Sequence, residues 1–548
     1  MRNPEEIISE ILTERGIIED KDIEEFLSEK PQKTYDPFLL ADMRAGVDLL
    51  LSEIEKGSKI CIYGDYDADG VTSVCVLLQG LGHLTDRLSY YIPSRFTEGY
   101  GLNVEALDRI RASGADMVVT VDCGCVSYRE VEHAKSIGLK ILVTDHHNIE
   151  DVMADCLVID PKRKDNTYPF NGLAGCGVAF KLLQAVQRST DMPKGVLTEV
   201  LDLVALGTVA DIVPLKDENR TLVKYGIAAG NSGRRKSLTA LKDAISLESI
   251  NSENISFGLA PHINAAGRME RADMAVELLM SRDDGVIREN VDRLIHCNKE
   301  RKAIQEKDYE RCLKEIEDGD NFIVLRMENI HEGIAGITAG KLKDRVNRPV
   351  IITTPTGDGK LKGTCRSTEK VDIYKVLNNH SELFIRFGGH RSASGFLMND
   401  EDFPVLKASM EDEIRKLMLE DDELFDKSLK YDIKAHPDEL TADLVHSISR
   451  LEPFGEGNPE PRFLIEGIVP ENVFFMGDEK NHVRFEAHGS KGSLSCVLFR
   501  RGGENRELLL SGKAVDITGR LTSQVWRGTE RVQFMIDDIA EGEKRYEN

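Results

Sequence analysis

Between Ile60 and Asp160 short apolar runs alternate with helical stretches, and three of the runs stop at an aspartate. Lys59–Tyr63, Met117–Val121, Lys140–Thr144 and Leu157–Ile159 are nearly continuous in apolar character. They do not alternate with polar residues, as strands with one wet face would, so they read as parallel strands buried on both faces. Val71–Leu81 and Tyr128–Ile137 read as helices between them, and Val196–Ala210 as another beyond. This order predicts a doubly wound α/β domain around a parallel sheet.

The carboxylates fall where such a sheet binds ligands. The first run leads into Asp65-Tyr66-Asp67-Ala68-Asp69-Gly70, the second into Asp122-Cys123-Gly124, and the third into Asp145-His146-His147; a later helix ends in Gly207-Thr208-Val209-Ala210-Asp211. Open parallel sheets bind at the carboxyl ends of their strands, so these loops converge on one crevice. Several carboxylates share a crevice only if cations neutralise them or some stay protonated. Oxygen donors with one or two imidazoles suit Mn²⁺ or Mg²⁺, and a pair of such ions can clamp both reacting oxygens of a phosphoryl transfer. Asp122, alone at its strand end, is the candidate bridging carboxylate. Each Asp taken singly is equally a turn or cap residue. An EF-hand reading of residues 65–70 fails, because Val76 stands at the twelfth position and a strand precedes the loop.

At 548 residues the chain is too long for one core. Ala272–Ile316 is long, charged and mostly helical, and reads as a connecting arm. A second α/β segment opens near Asn321, with strands at Phe322–Leu325 and Pro349–Thr353 and a helix at Ile334–Arg345 between them. Residues 411–426 are dense in Glu and Asp and read as a solvated helix or linker. Beyond Ser428 come short β runs at Phe463–Ile468, His482–Ala487, Ser493–Phe499, Ala514–Leu521 and Arg531–Ile536, the pattern of a small β-barrel such as an oligonucleotide-binding (OB) fold. The organisation expected is an N-terminal segment 1–45, a catalytic domain 46–270, an arm 271–320, a second α/β domain 321–426 and an OB domain 427–548.

Phe387-Gly388-Gly389-His390-Arg391-Ser392-Ala393-Ser394 reads as a glycine-rich loop whose backbone can approach phosphate closely, or as a plain turn with a core histidine. The formal net charge of -24 by itself suits an ordinary acidic enzyme with a small anionic substrate. An enzyme acting on nucleic acid would have to concentrate its Lys and Arg in a groove. The ten cysteines are scattered without zinc or redox spacing and read as reduced core residues of a cytoplasmic protein. The acidic first fifteen residues do not resemble a signal peptide, and no apolar run is long enough to span a membrane.

The four acid-rich segments resemble the ordered motifs of the DHH phosphoesterase family. That resemblance implies two Mn²⁺ or Mg²⁺ ions held by Asp67, Asp69, Asp122, His146 and Asp211, with Asp65 a further ligand. It places His147 against the scissile phosphate or in support of the ligands. Gly388-Gly389-His390 resembles the substrate-binding motif of the family's second domain (DHHA1), and Lys362-Gly363-Thr364-Cys365-Arg366-Ser367 its other phosphate-contacting stretch. Further stretches are similar to the RecJ exonuclease branch: Leu12–Ile17, Tyr35–Met43, Ile92–Arg95 with Glu98–Leu102, Ile263–Arg268, His331–Ile337 and Leu451–Pro459. The resemblance implies 5′-to-3′ hydrolysis of single-stranded DNA to mononucleotides, in DNA repair and recombination, with single-strand-binding protein and a helicase as partners. Arg95, Asn264, Arg268, Arg366, Ser367, Arg391 and Ser394 join the Gly-Gly-His residues as substrate contacts. His262 departs from the Arg usual before Ile-Asn-Ala, which puts one basic contact in doubt. Trp526, the only Trp, stacks on bases or packs inside the barrel. An oligoribonucleotide or cyclic-dinucleotide phosphodiesterase is the nearest alternative, although such enzymes are shorter and lack an OB domain. A non-catalytic replication scaffold is a third reading, disfavoured because every expected ligand is present.

Overall fold

The computed structural model describes residues 1–149, 152–317, 319–425, 429–526, 528–541 and 546–547, excepting the side chains of residues 429, 525, 526, 529, 546 and 547. Five parallel strands form the first sheet: β1 (Ile60–Gly64), β2 (Leu88–Tyr91), β3 (Met117–Val121), β4 (Lys140–Thr144) and β5 (Leu157–Ile159), in the order β2-β1-β3-β4-β5. Every residue of β1 and β3 is buried, which is why these runs carry no alternation. The edge strand β2 is only half-buried, and its Leu-Ser-Tyr-Tyr sequence lacks the apolar signal of the others. The winding reverses between β1 and β3, and at that switch point the loops after the two strands diverge and leave a crevice.

Helices Ala68–Leu81, Gly175–Ser189 and Gly195–Ala210 flank this sheet and its crevice. The expected arm is two helices, Asp273–Met280 and Asp284–Lys314. A second, mixed sheet follows: β6 (Ile323–Arg326), β7 (Val350–Pro355), β8 (Lys360–Arg366), β9 (Arg386–His390) and β10 (Ala393–Asn399), ordered β6-β7-β8-β10-β9. Only β6 and β7 run parallel in it. The acidic stretch near residue 411 belongs to helix Phe403–Glu420, which is not merely solvated. Leu406, Met410 and Ile414, four residues apart, bury one face against Phe322, Val324 and Leu361.

The chain divides into two compact units, residues 35–211 with 226–426, and residues 1–34 with 212–225 and 427–548. In the latter unit lie β11 (Leu429–Lys430), β12 (Ile433–Lys434), β13 (Phe463–Ile468), β14 (Glu471–Met476), β15 (His482–His488), β16 (Ser493–Leu498), β17 (Val515–Trp526), β18 (Thr529–Glu541) and β19 (Tyr546–Glu547). Seven of them make one mixed sheet, β12-β13-β17-β18-β16-β15-β14. Its end strands β12 and β14 are not paired with each other among the described residues, so the expected barrel is not closed by hydrogen bonds. Helix Pro4–Glu14 completes the core: Ile7, Ile8, Ile11 and Leu12 are buried with Phe463, Phe485 and Phe534. Each such burial is worth roughly 1.5–3 kcal/mol. Arg220 ties in the middle segment by donating to the Phe26 and Leu451 carbonyls. All ten cysteines are free and nine are buried, as their apolar neighbours predict. No helix among the described residues is long and apolar enough to cross a membrane.

Candidate active site

The loop after β1 is held by its own aspartates. Asp67 caps helix Ala68–Leu81, its Oδ1 accepting from the Asp69 and Gly70 amides at 3.0 Å each. Asp69 is buried, and its carboxylate accepts from the Gly175 and Cys176 amides at 2.6 and 2.9 Å, at the start of helix Gly175–Ser189. Asn264 Oδ1 accepts from Ala68 N, so this predicted substrate contact spends its oxygen on shaping the loop. Asp122 follows β3 with φ of 59°, a left-handed conformation that costs a non-glycine residue energy and is found where a site demands it. Two glycines make room for these carboxylates. A Cβ at Gly175 would lie 2.6 Å from Asp122 Cβ, and one at Gly207 would lie 2.8 Å from Asp69 Oδ1.

His146 is the hub. Its Nε2 lies 3.0 Å from Asp122 Oδ1, 3.5 Å from Asp211 Oδ2 and 3.8 Å from Asp69 Oδ2, yet neither ring nitrogen makes a hydrogen bond. Two groups of donors that include His146 are therefore close enough to share an ion: Asp122, His146 and His147, and Asp69, His146 and Asp211. An octahedral ion with bonds of about 2.1 Å has adjacent donors roughly 3 Å apart, which the His146–Asp122 separation matches and the other two exceed by less than 1 Å. Asp65 and Asp67 fall outside both groups but stand beside them, Asp65 buried with Oδ1 unpartnered.

The electrostatics ask for cations. Burial first, then the charges of Asp69, Asp67, Asp211 and Asp65, push the Asp122 carboxyl well above the ordinary range. Burial and Asp67 raise Asp69 to about 6, and burial with Asp69 and Asp67 raises Asp211 to about 8. Burial and the neighbouring His147 charge pull His146 down to about 3, leaving it neutral and able to ligate. Asp211 also caps the C-terminal end of helix Gly195–Ala210, where a negative charge opposes the helix dipole. Buried oxygens held in fixed positions, a neutral imidazole and uncompensated negative charge together fit hard divalent ions.

Asp145, one residue from His146, behaves oppositely. It accepts from the amides of Cys125, His146 and His147 and pairs with His147 Nδ1 at 2.7 Å. These partners outweigh burial and hold it below the ordinary carboxylate range. Burial would lower His147, but the Asp145 hydrogen bond and charge raise it to about 9, so it is a cation at neutral pH. Its Nε2 meets Tyr100 Oη at 3.0 Å. Asp145 and Tyr100 are the functional candidates that the sequence reading passes over; only the Asp-His-His adjacency hints at the first.

The predicted substrate residues divide. Arg95 stacks over Tyr66 at 4.0 Å from the ring centroid, with its Nε buried and unpartnered. Arg268 donates to the Gly333 carbonyl at 3.0 Å, joining the first lobe to the second. In the second lobe Arg366 donates to the Cys365 carbonyl, Ser367 and Ser394 are buried, and Arg391 donates to the Glu369 carbonyl. The Gly-Gly-His stretch is neither a loop nor a core turn. Gly388, Gly389 and His390 are exposed on β9, the edge strand of the sheet, with only the Arg391-Ser392 turn leading back into β10. An edge strand keeps one row of amides unpaired, so the backbone is as approachable as the glycines suggested. Trp526 ends β17 and pairs with Thr529 in a hairpin; its side chain and Arg527 lie outside the described residues.

Comparison with known proteins gives matches over most of the chain. Residues 59–208 match the model of the DHH family N-terminal domain, residues 319–416 the DHHA1 domain and residues 431–538 the RecJ OB domain. The single-stranded-DNA-specific exonuclease RecJ of Bacillus subtilis is 35% identical over 550 residues, covering 98% of this chain and 68% of that protein. The enzyme of the same name from Escherichia coli is 32% identical, covering 91% of this chain and 90% of that one. Crystal structures of Thermus thermophilus RecJ with Mn²⁺ and with Mg²⁺ superpose with TM-scores of 0.83 and 0.78 at 28% identity, covering 98% of this chain and 76% and 75% of those chains.

Proposed function

This chain belongs to the RecJ family of single-stranded-DNA-specific exonucleases, and we propose that it removes mononucleotides from the 5′ end of linear single-stranded DNA. It is a hydrolase of phosphodiester bonds that uses Mn²⁺ or Mg²⁺. The observation that carries this reading is the convergence of Asp69, Asp122 and Asp211 on a neutral His146 that has no hydrogen-bond partner. These four residues, with Asp65 and Asp67 beside them, would hold two ions, and Asp122 is the carboxylate on which we expect that holding to depend most. When bound, the ions supply the charge that activates a water and offsets the negative charge growing on the phosphate.

The chain's own groups do the rest. Asp145 orients His147 and keeps it protonated, so that the Nε2–H now meeting Tyr100 Oη is the one His147 can turn to a phosphate oxygen. Arg95, Arg268, Arg366 and Arg391 focus positive charge along the strand's path in a molecule of net charge -24. Ser367, Ser394 and the open backbone of Gly388, Gly389 and His390 take up phosphate oxygens, and Trp526 is assigned to the bases. The OB region grips longer strands, which favours polymeric DNA over short oligoribonucleotides or cyclic dinucleotides as substrate. In the cell we assign the enzyme to DNA repair and recombination in the cytoplasm, alongside single-strand-binding protein and a helicase.

The test is a time course with 5′- and 3′-labelled DNA in Mn²⁺ and in EDTA. Linear single strands should be lost rapidly, blunt duplex slowly and circular single strands not at all, with no turnover in EDTA. Efficient cutting of the circle would overturn the exonuclease reading.

A further inference from the structure

Residue 262 is where the first lobe lacks an expected cation, and the structure shows what His262 does instead. Its Nδ1 lies 2.7 Å from the Gly258 carbonyl, so Nδ1 carries the proton. Its Nε2 must then accept, and Asn298 Nδ2 donates to it at 2.9 Å. That sets the orientation of the buried Asn298 amide, whose Oδ1 accepts from Arg301 Nε at 3.0 Å. Arg301 Nη1 donates to Gln305 Oε1 at 3.1 Å. His262 is thus neutral with both nitrogens occupied, and the chain of bonds ends in an aligned guanidinium three residues along the helix from Asn298.

Arg301 is half-buried, and the hydrogen bonds of Arg301 and Arg268 go to Asn298, Gln305 and the Gly333 carbonyl, not to a carboxylate. Burial and then Arg95 lower Arg268 to about 10, with Asp67 offsetting part of this and Arg301 adding a smaller repulsion, so the site is short of negative charge. Half-buried like charges are costly unless something anionic completes them. His262 and Arg268 sit on one helix, Ala260–Met269, and the same helix fixes the metal loop through Asn264.

We infer that Arg301, aligned by the His262–Asn298 pair, grips a backbone phosphate of the single-stranded substrate beside Arg268, replacing the charge absent from position 262. The inference rests on the exonuclease reading above. Arg301 is a substrate-binding residue through the free edge of its guanidinium, and His262 and Asn298 are positioning residues that act through it. A purely structural Arg301, bracing its helix through Gln305, would affect stability and not the electrostatics of binding.

The experiment measures KM, kcat and the salt dependence of strand binding for the full-length enzyme, with binding read by anisotropy of a labelled thymidine oligonucleotide in EDTA. Arg301→Gln should raise KM about tenfold or more, leave kcat and Mn²⁺ content nearly unchanged, and flatten the slope of log affinity against log salt by about 0.7, one phosphate's share on a single strand. Arg301→Lys should keep the wild-type slope while raising KM, because the charge stays and the Asn298 alignment is lost. An unchanged slope in a folded Arg301→Gln protein would overturn the inference, whatever happens to KM. Should that variant not fold, a reduced slope in Arg301→Lys overturns it instead. Wild-type protein that neither binds nor degrades the oligonucleotide would sink the exonuclease reading itself, a result distinguishable from both.

Discussion

The two lobes of residues 35–426 handle charge in opposite ways. The first gathers Asp69, Asp122, Asp211 and His146 at strand and helix ends, nearly all buried and none fully compensated. The second presents Gly388, Gly389, His390 and Arg391 in the open, on an edge strand and its turn. Metal ligation needs donors fixed within tenths of an ångström before the ion arrives, and burial supplies that rigidity. Gripping a flexible strand, the task we propose for this lobe, needs backbone that can be approached, and an exposed edge supplies that. Asp145 marks the boundary between the two tasks within the first lobe. It is as buried as Asp122, but four hydrogen-bond donors satisfy it, so we assign it to His147 and the ions to its neighbours.

Breaking the buried side of this contrast should have the largest effect. Asp122→Asn is expected to cut turnover roughly 10³-fold or more, since several kcal/mol of transition-state stabilisation depend on the ions. The same variant should melt higher than wild type in EDTA, because the buried carboxyl that burial and its acidic neighbours make costly to ionise is gone, and lose that advantage in Mn²⁺. Calorimetric titration with Mn²⁺ and melting curves with and without EDTA check both halves. Near-wild-type turnover would remove Asp122 from the metal site.

Asp145→Asn tests the boundary. Outer partners of metal-site residues are typically worth about 10- to 100-fold in activity or metal affinity, and that is the loss expected here. His147 should also lose its raised pKa, which a histidine NMR titration would follow; the pKa lies near 9 in the wild type. If His147 still titrated there, Asp145 would not be what holds it.

His390→Ala probes the open lobe. Turnover should fall by roughly 10- to 100-fold, the scale of a lost hydrogen bond to a charged phosphate, while the number of Mn²⁺ ions bound stays as in wild type. Loss of an ion from this variant would mean that the division of labour between the lobes is drawn wrongly.

The smallest and sharpest contrast is between adjacent glycines. A Cβ at Gly388 meets nothing within 4 Å, whereas one at Gly389, φ 145°, would lie 2.4 Å from the Ala393 carbonyl oxygen. Gly388→Ala should leave the melting temperature unchanged and raise KM a few-fold by pushing the strand off the backbone. Gly389→Ala should lower the melting temperature first. Equal melting curves for the two would show that the β9–β10 pairing tolerates a side chain there.

One obvious truncation would mislead. Ending the chain near Leu429 removes the OB sheet but leaves Ile7, Ile8, Ile11 and Leu12 of the first helix without their core. Testing long-strand binding by deletion therefore calls for residues 1–34 to go as well.

Local pattern alone determined much of this protein. Runs buried on both faces announce a parallel sheet, and acidic strand ends announce a metal crevice, because side-chain periodicity and loop chemistry act over a few residues. The same locality explains what it missed. Asp69 is held by amides 106 and 107 positions away, and Arg15 bonds Asn458 across 443, contacts that no window of sequence contains. Whether Asp122 or Asp145 was the free carboxylate depended on which amides the tertiary fold aimed at each. Whether Gly-Gly-His formed a loop or an edge strand depended on β10 pairing beside it. Hydrogen-bond partners distant in sequence are chosen by packing, and packing is settled only when the whole chain has folded.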